Sequence, residues 1–154
     1  MALLWPTVTT EDDDEELTHM RTLVSIHESG HAKACDLLGI PYSEIHVSVG
    51  RTYWTGQLRY AGHVMTSVFE RPTGKHAIDY ATMCLAGKEA EALYLMDQGW
   101  RKRKAYDFAE GHAHADMADA EELVGRRGMY EIERRARRLV EANWSAIVRL
   151  ASQL

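Results

Sequence analysis

The stretch His27-Glu28-Ser29-Gly30-His31 constrains this chain more than any other. It lies in a segment where Leu17, Met20, Val24, His27, His31, Cys35 and Leu38 recur at three- and four-residue steps, the period of one helix face. Thr10 can cap that helix and acids fill its first turns, where the helix dipole favours them. Gly39 and Pro41 stop it, so a helix is expected from Thr10 to Leu38. Residues four apart lie one turn above each other, so the two imidazoles can converge on one ion. Glu28, offset by one residue, can set its carboxylate beside a metal-bound water rather than on the metal. Gly30 permits close approach of another element. The plainer alternative is a pair of hydrogen-bonded core histidines.

Cys35 continues the same row, but eight residues of helix put it about 12 Å from His27 along the axis. Metal–ligand bonds near 2 Å exclude one ion shared by His27, His31 and Cys35. Cys35 and Cys84 are the only cysteines, and both are expected as reduced core thiols. A catalytic zinc site needs a third protein ligand and an open fourth position. Spacing alone leaves His46, His63, Glu89, Glu91, His112, His114 and Asp116 as candidates.

Downstream the pattern changes. Ile45, Val47 and Val49 alternate with polar residues and predict a strand. Residues 51–55 form a connection, and Gln57 to Tyr60 and Val64-Met65 suggest one or two further short strands. Pro72 opens a second helix over Thr73 to Asp97, which Gly99 ends. Trp100 to Gly111 reads as irregular, with Arg101 to Lys104 a mobile basic loop. A third helix is expected over Ala113 to Arg126, with His112 and His114 exposed at its start. A fourth is expected over Met129 to Leu154, where Ile132, Ala136, Val140, Ile147 and Ala151 lie on an apolar stripe. The fold class is α+β, mostly helical, with a small sheet inserted after the first helix. With no repeat and no linker-like stretch, residues 1–154 read as one domain, 1–10 being a flexible N-terminus.

The net charge of −5 is local. Glu11 to Glu16 is an unbroken acidic run of six, and without it 18 basic residues face 17 acidic ones. Arg134, Arg135, Arg137 and Arg138 are interleaved with Glu131, Glu133 and Glu141. This suggests a solvated face with intrahelical ion pairs, and no nucleic-acid partner. No apolar run reaches the ~18 residues of a spanning helix. The N-terminus lacks a secretory pattern, so a cytoplasmic location is expected.

His27-Glu28-Ser29-Gly30-His31-Ala32 resembles the H-E-A-G-H-A signature of the FtsH-type zinc proteases. Leu85-Ala86-Gly87-Lys88-Glu89-Ala90-Glu91-Ala92-Leu93 is similar to that family's L-G-G-R-A-A-E-E-L segment. Ala115-Asp116-Met117 with Ala120 is similar to its N-D-L-x-x-A segment, and Leu139 to Leu154 to its last helix. The order and approximate separation of these segments also match, from about Leu17 to Leu154. Ser29, Ala86, Lys88 and Glu89 depart from the family residues.

The resemblance implies a zincin-like FtsH peptidase domain with Zn2+ on His27, His31 and Asp116 and Glu28 as general base. It implies that Glu91 is not a ligand, and that Gly56, Gln57, Leu58, Arg59 and Tyr60 form an edge strand aligning extended substrate. Tyr53, Trp54, Tyr60 and His63 are then candidates to line side-chain pockets or steady the transition state, with no catalytic role assigned to any of them. The family's membrane spans and ATPase module have no counterpart here, and no G-x-x-x-x-G-K-[S/T] loop is present. The expected activity is therefore ATP-independent endopeptidase cleavage of flexible or unfolded polypeptides. Self-association, or a separate unfoldase or adaptor, is a possible arrangement. The rival expectations are an inactive binding or regulatory module, and a structural zinc domain closed by His112 or Cys84.

Overall fold

The computed structural model describes residues 11–52, 55–67 and 70–154, with side chains described from residue 15 onward. Thr10, Tyr53 and Trp54 lie outside the described residues. The first helix, α1, spans Glu11–Leu38. Gly39 ends it at φ 70°, and the Ile40 amide donates to the Cys35 carbonyl at 3.0 Å, the closing bond of a Schellman turn. Every residue from Leu23 to Ala32 is buried. The motif therefore lies inside the molecule, and its polar side chains need partners there.

A hairpin follows, β1 (Tyr42–Arg51) and β2 (Leu58–Thr66), antiparallel with Val47 opposite Gly62 and Val49 opposite Tyr60. Val47, Val49 and Leu58 pack against a cluster containing Met20, Leu23 and Val24 of α1. The two short stretches expected around 57–65 are one continuous strand. Gly56 and Gln57 precede it in the connecting turn, so only Leu58, Arg59 and Tyr60 of the expected substrate strand belong to β2.

The second helix, α2 (Gly74–Asp97), packs on α1 and is the centre of the fold. Small residues set the spacing. A β-carbon at Gly30 would stand 2.7 Å from the Ala86 carbonyl oxygen and 2.9 Å from the Ala90 β-carbon. Only glycine lets the two backbones come this close.

Trp100 to Gly111 is not irregular: α3 covers Lys102–Gly111. Ala105 and Ala109, one turn apart, are buried, and Trp100 and Phe108 pack beside them. This apolar face outweighs the basic start that made the segment read as a loop. Lys104 sits with its ammonium 4.5 Å from the Trp100 ring centre.

The last two expected helices are redivided. One element, α4, runs His114–Ala142, broken at Gly125 (φ 74°, ψ 165°), and α5 spans Trp144–Ala151. The Gly125 geometry is open essentially to glycine alone. At the second break, the Asn143 side chain donates to the Leu139 carbonyl at 2.8 Å, satisfying an acceptor at the helix end.

The core lies where α1, α2, α4 and α5 meet, around Ile26, Leu85, Ile132, Val140 and Ile147. A smaller cluster joins α1, α2, α3 and the hairpin. Cys35 and Cys84 are free thiols and both buried. Burial, with Asp36 nearby, pushes Cys35 up to about 12. Lys88 is buried between α2, α3 and α4, within 3.3 Å of Glu110 and 3.5 Å of Glu133. Glu89 beside it receives Tyr106 and Arg137. Arg137 therefore turns inward rather than joining a solvated face, whereas Arg134 and Arg135 pair with Glu131 on the surface. No described helix is long and apolar enough to cross a membrane.

Candidate metal centre

His27 and His31 project from α1 with ring centres 4.8 Å apart. Each Nε2 lies 3.1 Å from the same oxygen, Asp116 Oδ2. Asp116 is in the first turn of α4, where the helix dipole favours a carboxylate. Residues 85 and 89 positions apart in sequence thus meet because α2 holds α1 and α4 on its two sides.

The outer nitrogens fix which way the rings face. His31 Nδ1 lies 2.8 Å from the Met83 carbonyl oxygen. A carbonyl only accepts, so Nδ1 carries the hydrogen and the neutral ring points an Nε2 lone pair inward. His27 Nδ1 donates in the same way to Glu91 Oε2 at 3.0 Å. Two imidazole lone pairs and a carboxylate oxygen then converge with no donor among them. Such an arrangement requires a cation between them, supplied either by two extra protons or by a metal ion. Donors bound at ~2.0–2.1 Å to one tetrahedral zinc stand about 3.3–3.4 Å apart, close to the separations found. On these grounds the residues could hold a metal ion.

Without a metal, protons take that place. Burial disfavours charge on His27, but the Asp116 and Glu91 carboxylates outweigh it and hold the group up at about 10. His31 is raised in the same way by Asp116. Asp116 resists burial through both imidazoles and titrates well below the usual carboxylate range. Glu91, also buried, is lowered by His112 and His27.

Glu28 stands beside this group. Its donor atom and those of His27 and His31 lie within 4.8 Å of one another, a buried His-Glu-His group that could hold a metal ion. Burial raises its pKa. Its Oε2 is buried and has no hydrogen-bond partner among the described residues. A carboxylate that is buried, raised and unpaired is a poor structural element and a suitable proton acceptor.

Two glycines make room. A β-carbon at Gly87 would lie 2.5 Å from His31 Nε2 and 2.6 Å from His27 Nε2. One at Gly62 of β2 would lie 2.7 Å from Glu28 Oε1. The result is an open cleft of about 400 Å³ with Met20, Leu23 and Val24 on one flank and Asp116 and Asp119 on the other. Residues Tyr60 to Val64 of β2 form its wall. The strand beside the centre is therefore shifted toward the C-terminus of the expected segment. Tyr60 belongs to it; Gly56, Gln57, Leu58 and Arg59 do not line the cleft.

The other candidate ligands are elsewhere or in other roles. Glu89 faces Tyr106 and Arg137. His46 and His63 form an exposed cross-strand pair with ring centres 5.1 Å apart, His63 reaching the cleft rim. His114 is exposed, as expected. His112 is not: it is half-buried, with Nδ1 2.6 Å from Glu91 Oε1. Its position at the end of α3, hidden while that segment read as irregular, turns it inward. Neither His112 nor Cys84 joins the His-Glu-His group. The Met83 carbonyl, Gly62 and the orienting role of Glu91 have no signature in the sequence, because each depends on how the hairpin and α2 pack against α1.

No protein-family model, curated protein or solved structure matches the chain.

Proposed function

We propose that the protein is a zinc-dependent, ATP-independent endopeptidase related to the FtsH peptidase domain, acting on flexible or unfolded polypeptides. The observation that carries this reading is the convergence of two oriented Nε2 atoms and Asp116 Oδ2 beside the unpaired Glu28 carboxylate in an open cleft. His27, His31 and Asp116 would hold the metal. Zinc bound there supplies Lewis acidity, lowering the pKa of a water toward neutrality and polarising the scissile carbonyl.

Glu28 Oε2 accepts the proton from the attacking water and then delivers it to the departing amine nitrogen. The burial that raises Glu28 makes it a stronger base than an exposed carboxylate, and so suits both transfers. Met83 and Glu91 keep the histidine rings aimed inward throughout. The free edge of β2 can add an extended substrate by main-chain hydrogen bonds, which suits a sequence-tolerant activity.

His112 and Cys84 both line the open cleft, but His112 spends Nδ1 on Glu91 and burial pushes the Cys84 thiol up, which favours this reading over a structural zinc site closed by either. The test is digestion of a peptide library and an unfolded protein by the zinc-loaded chain, with Glu28→Gln as control. Cleavage by wild type that is lost in the variant is expected. Intact peptides after incubation with a zinc-loaded wild type would point instead to a binding or regulatory module.

A further inference from the structure

We propose that His112 is a positioning residue for His27, acting through the Glu91 carboxylate; this rests on the reading of His27 as a metal ligand. Glu91 is buried and spends its two oxygens separately, Oε2 on His27 Nδ1 at 3.0 Å and Oε1 on His112 Nδ1 at 2.6 Å. A buried carboxylate with each oxygen paired has one stable orientation. With His112 removed, Oε1 loses the one side-chain donor it has among the described residues, and the carboxylate can turn away from His27. His27 then loses the contact that fixes its tautomer and ring plane.

His112 is itself held firmly. Its ring meets Phe108 edge-on at 4.7 Å between centres and Tyr60 at 5.0 Å. Its backbone amide donates to the Ala109 carbonyl at 3.1 Å, at the cap of α3. The chain His112–Glu91–His27 therefore anchors a donor on α1 to the α3 terminus, with β2 in contact through Tyr60. His114, two residues on and exposed, has no comparable contact with Glu91 and is the natural control.

The experiment measures zinc affinity by competition with a chromophoric chelator, and the visible spectrum of the cobalt-loaded protein, for the wild type and a variant set. His112→Ala is expected to weaken zinc binding about 10-fold, within the range seen when outer partners of metal-bound histidines are lost. It should also shift the cobalt bands, which report ligand geometry. His112→Asn puts an amide N–H near the place of Nδ1 and should restore most of the affinity. His112→Gln, whose N–H falls further out, should not. In the double variant with Glu91→Gln, the loss should not exceed that of Glu91→Gln alone, because both act through one path.

Affinity and cobalt bands unchanged in His112→Ala, or losses that simply add in the double variant, would overturn the role of His112 while leaving the metal centre intact. If His112→Ala does not fold, the Asn and Gln pair decides, equal affinities overturning the proposal. Absence of zinc binding by folded wild type would instead overturn the metal reading itself.

Discussion

Gly87 faces His31 so closely that a β-carbon there would stand 2.5 Å from the imidazole Nε2. The same β-carbon would meet His27 Nε2 at 2.6 Å, so one methyl group would fall on both inward-facing nitrogens. Gly87→Ala should leave a folded protein that has lost most of its zinc. Elemental analysis beside a thermal melt separates this from unfolding. Gly30→Ala is the contrasting case: its methyl would meet the Ala86 backbone, and it should cost about 1–3 kcal/mol of stability as an overpacked helix crossing.

Asp116→Ala removes the oxygen that both Nε2 atoms approach. About one zinc per chain in wild type and a large loss in the variant is the expected result. Full retention of metal in the variant would remove Asp116 from the ligand set.

Glu28→Gln preserves shape and removes the proton acceptor. Metal content should match wild type, while turnover falls by about 10²–10⁴-fold, the range for loss of a general base. Cleavage at the wild-type rate would end the role given to Glu28.

The pH dependence of stability should differ with and without metal. In the metal-free protein His27 is raised from 6.5 to about 10, and His31 is also raised. Groups raised on folding stabilise fully below their unfolded pKa and lose that contribution as pH rises through the folded one. Stability should therefore decline from about pH 6.5 to about 10, and the raised Glu28 adds a decline of its own that starts above its unfolded value of 4.5. Asp116 and Glu91 are lowered, so their contribution disappears in acid instead. Zinc replaces the protons and should remove the alkaline decline, with protons released on binding at neutral pH. Urea denaturation across pH, with and without a chelator, reads both effects.

Gly125 sits at φ 74° and ψ 165° inside α4. Gly125→Ala should destabilise the protein by about 1–3 kcal/mol, the usual cost of a strained backbone position. Zinc affinity should change little in the fraction that folds, because Asp116 lies about two and a half turns earlier in the helix. Denaturation and zinc titration on one sample test both halves.

Much of the fold was legible in local patterns. The limits of α1 and α2 follow from Gly39, Pro41, Pro72 and Gly99, and the first strand from the alternation of Ile45, Val47 and Val49. His27, Glu28 and His31 were legible because helical spacing alone sets two imidazoles on one face. α3 was missed because four basic residues at its start masked an apolar face made by Ala105, Phe108 and Ala109, which shows only when α2 covers it. The break at Gly125 was expected slightly later, after Arg126, and the break at Asn143 was missed, because helix ends depend on what packs beside them.

The sequence by itself determined the two histidines and the carboxylate between them, since a helix turns through one fixed angle per residue. Only the tertiary structure decided the rest of the centre. Spacing left seven candidate third ligands and the family resemblance pointed to Asp116; the packing brought Asp116 to both Nε2 atoms and turned Glu89 away. It assigned Glu91 and the Met83 carbonyl to the outer nitrogens and carried His112 inward. These contacts join residues far apart in the chain. Their positions follow from how closely α1, α2 and the hairpin approach at Gly30, Gly62 and Gly87, and no local spacing records that approach.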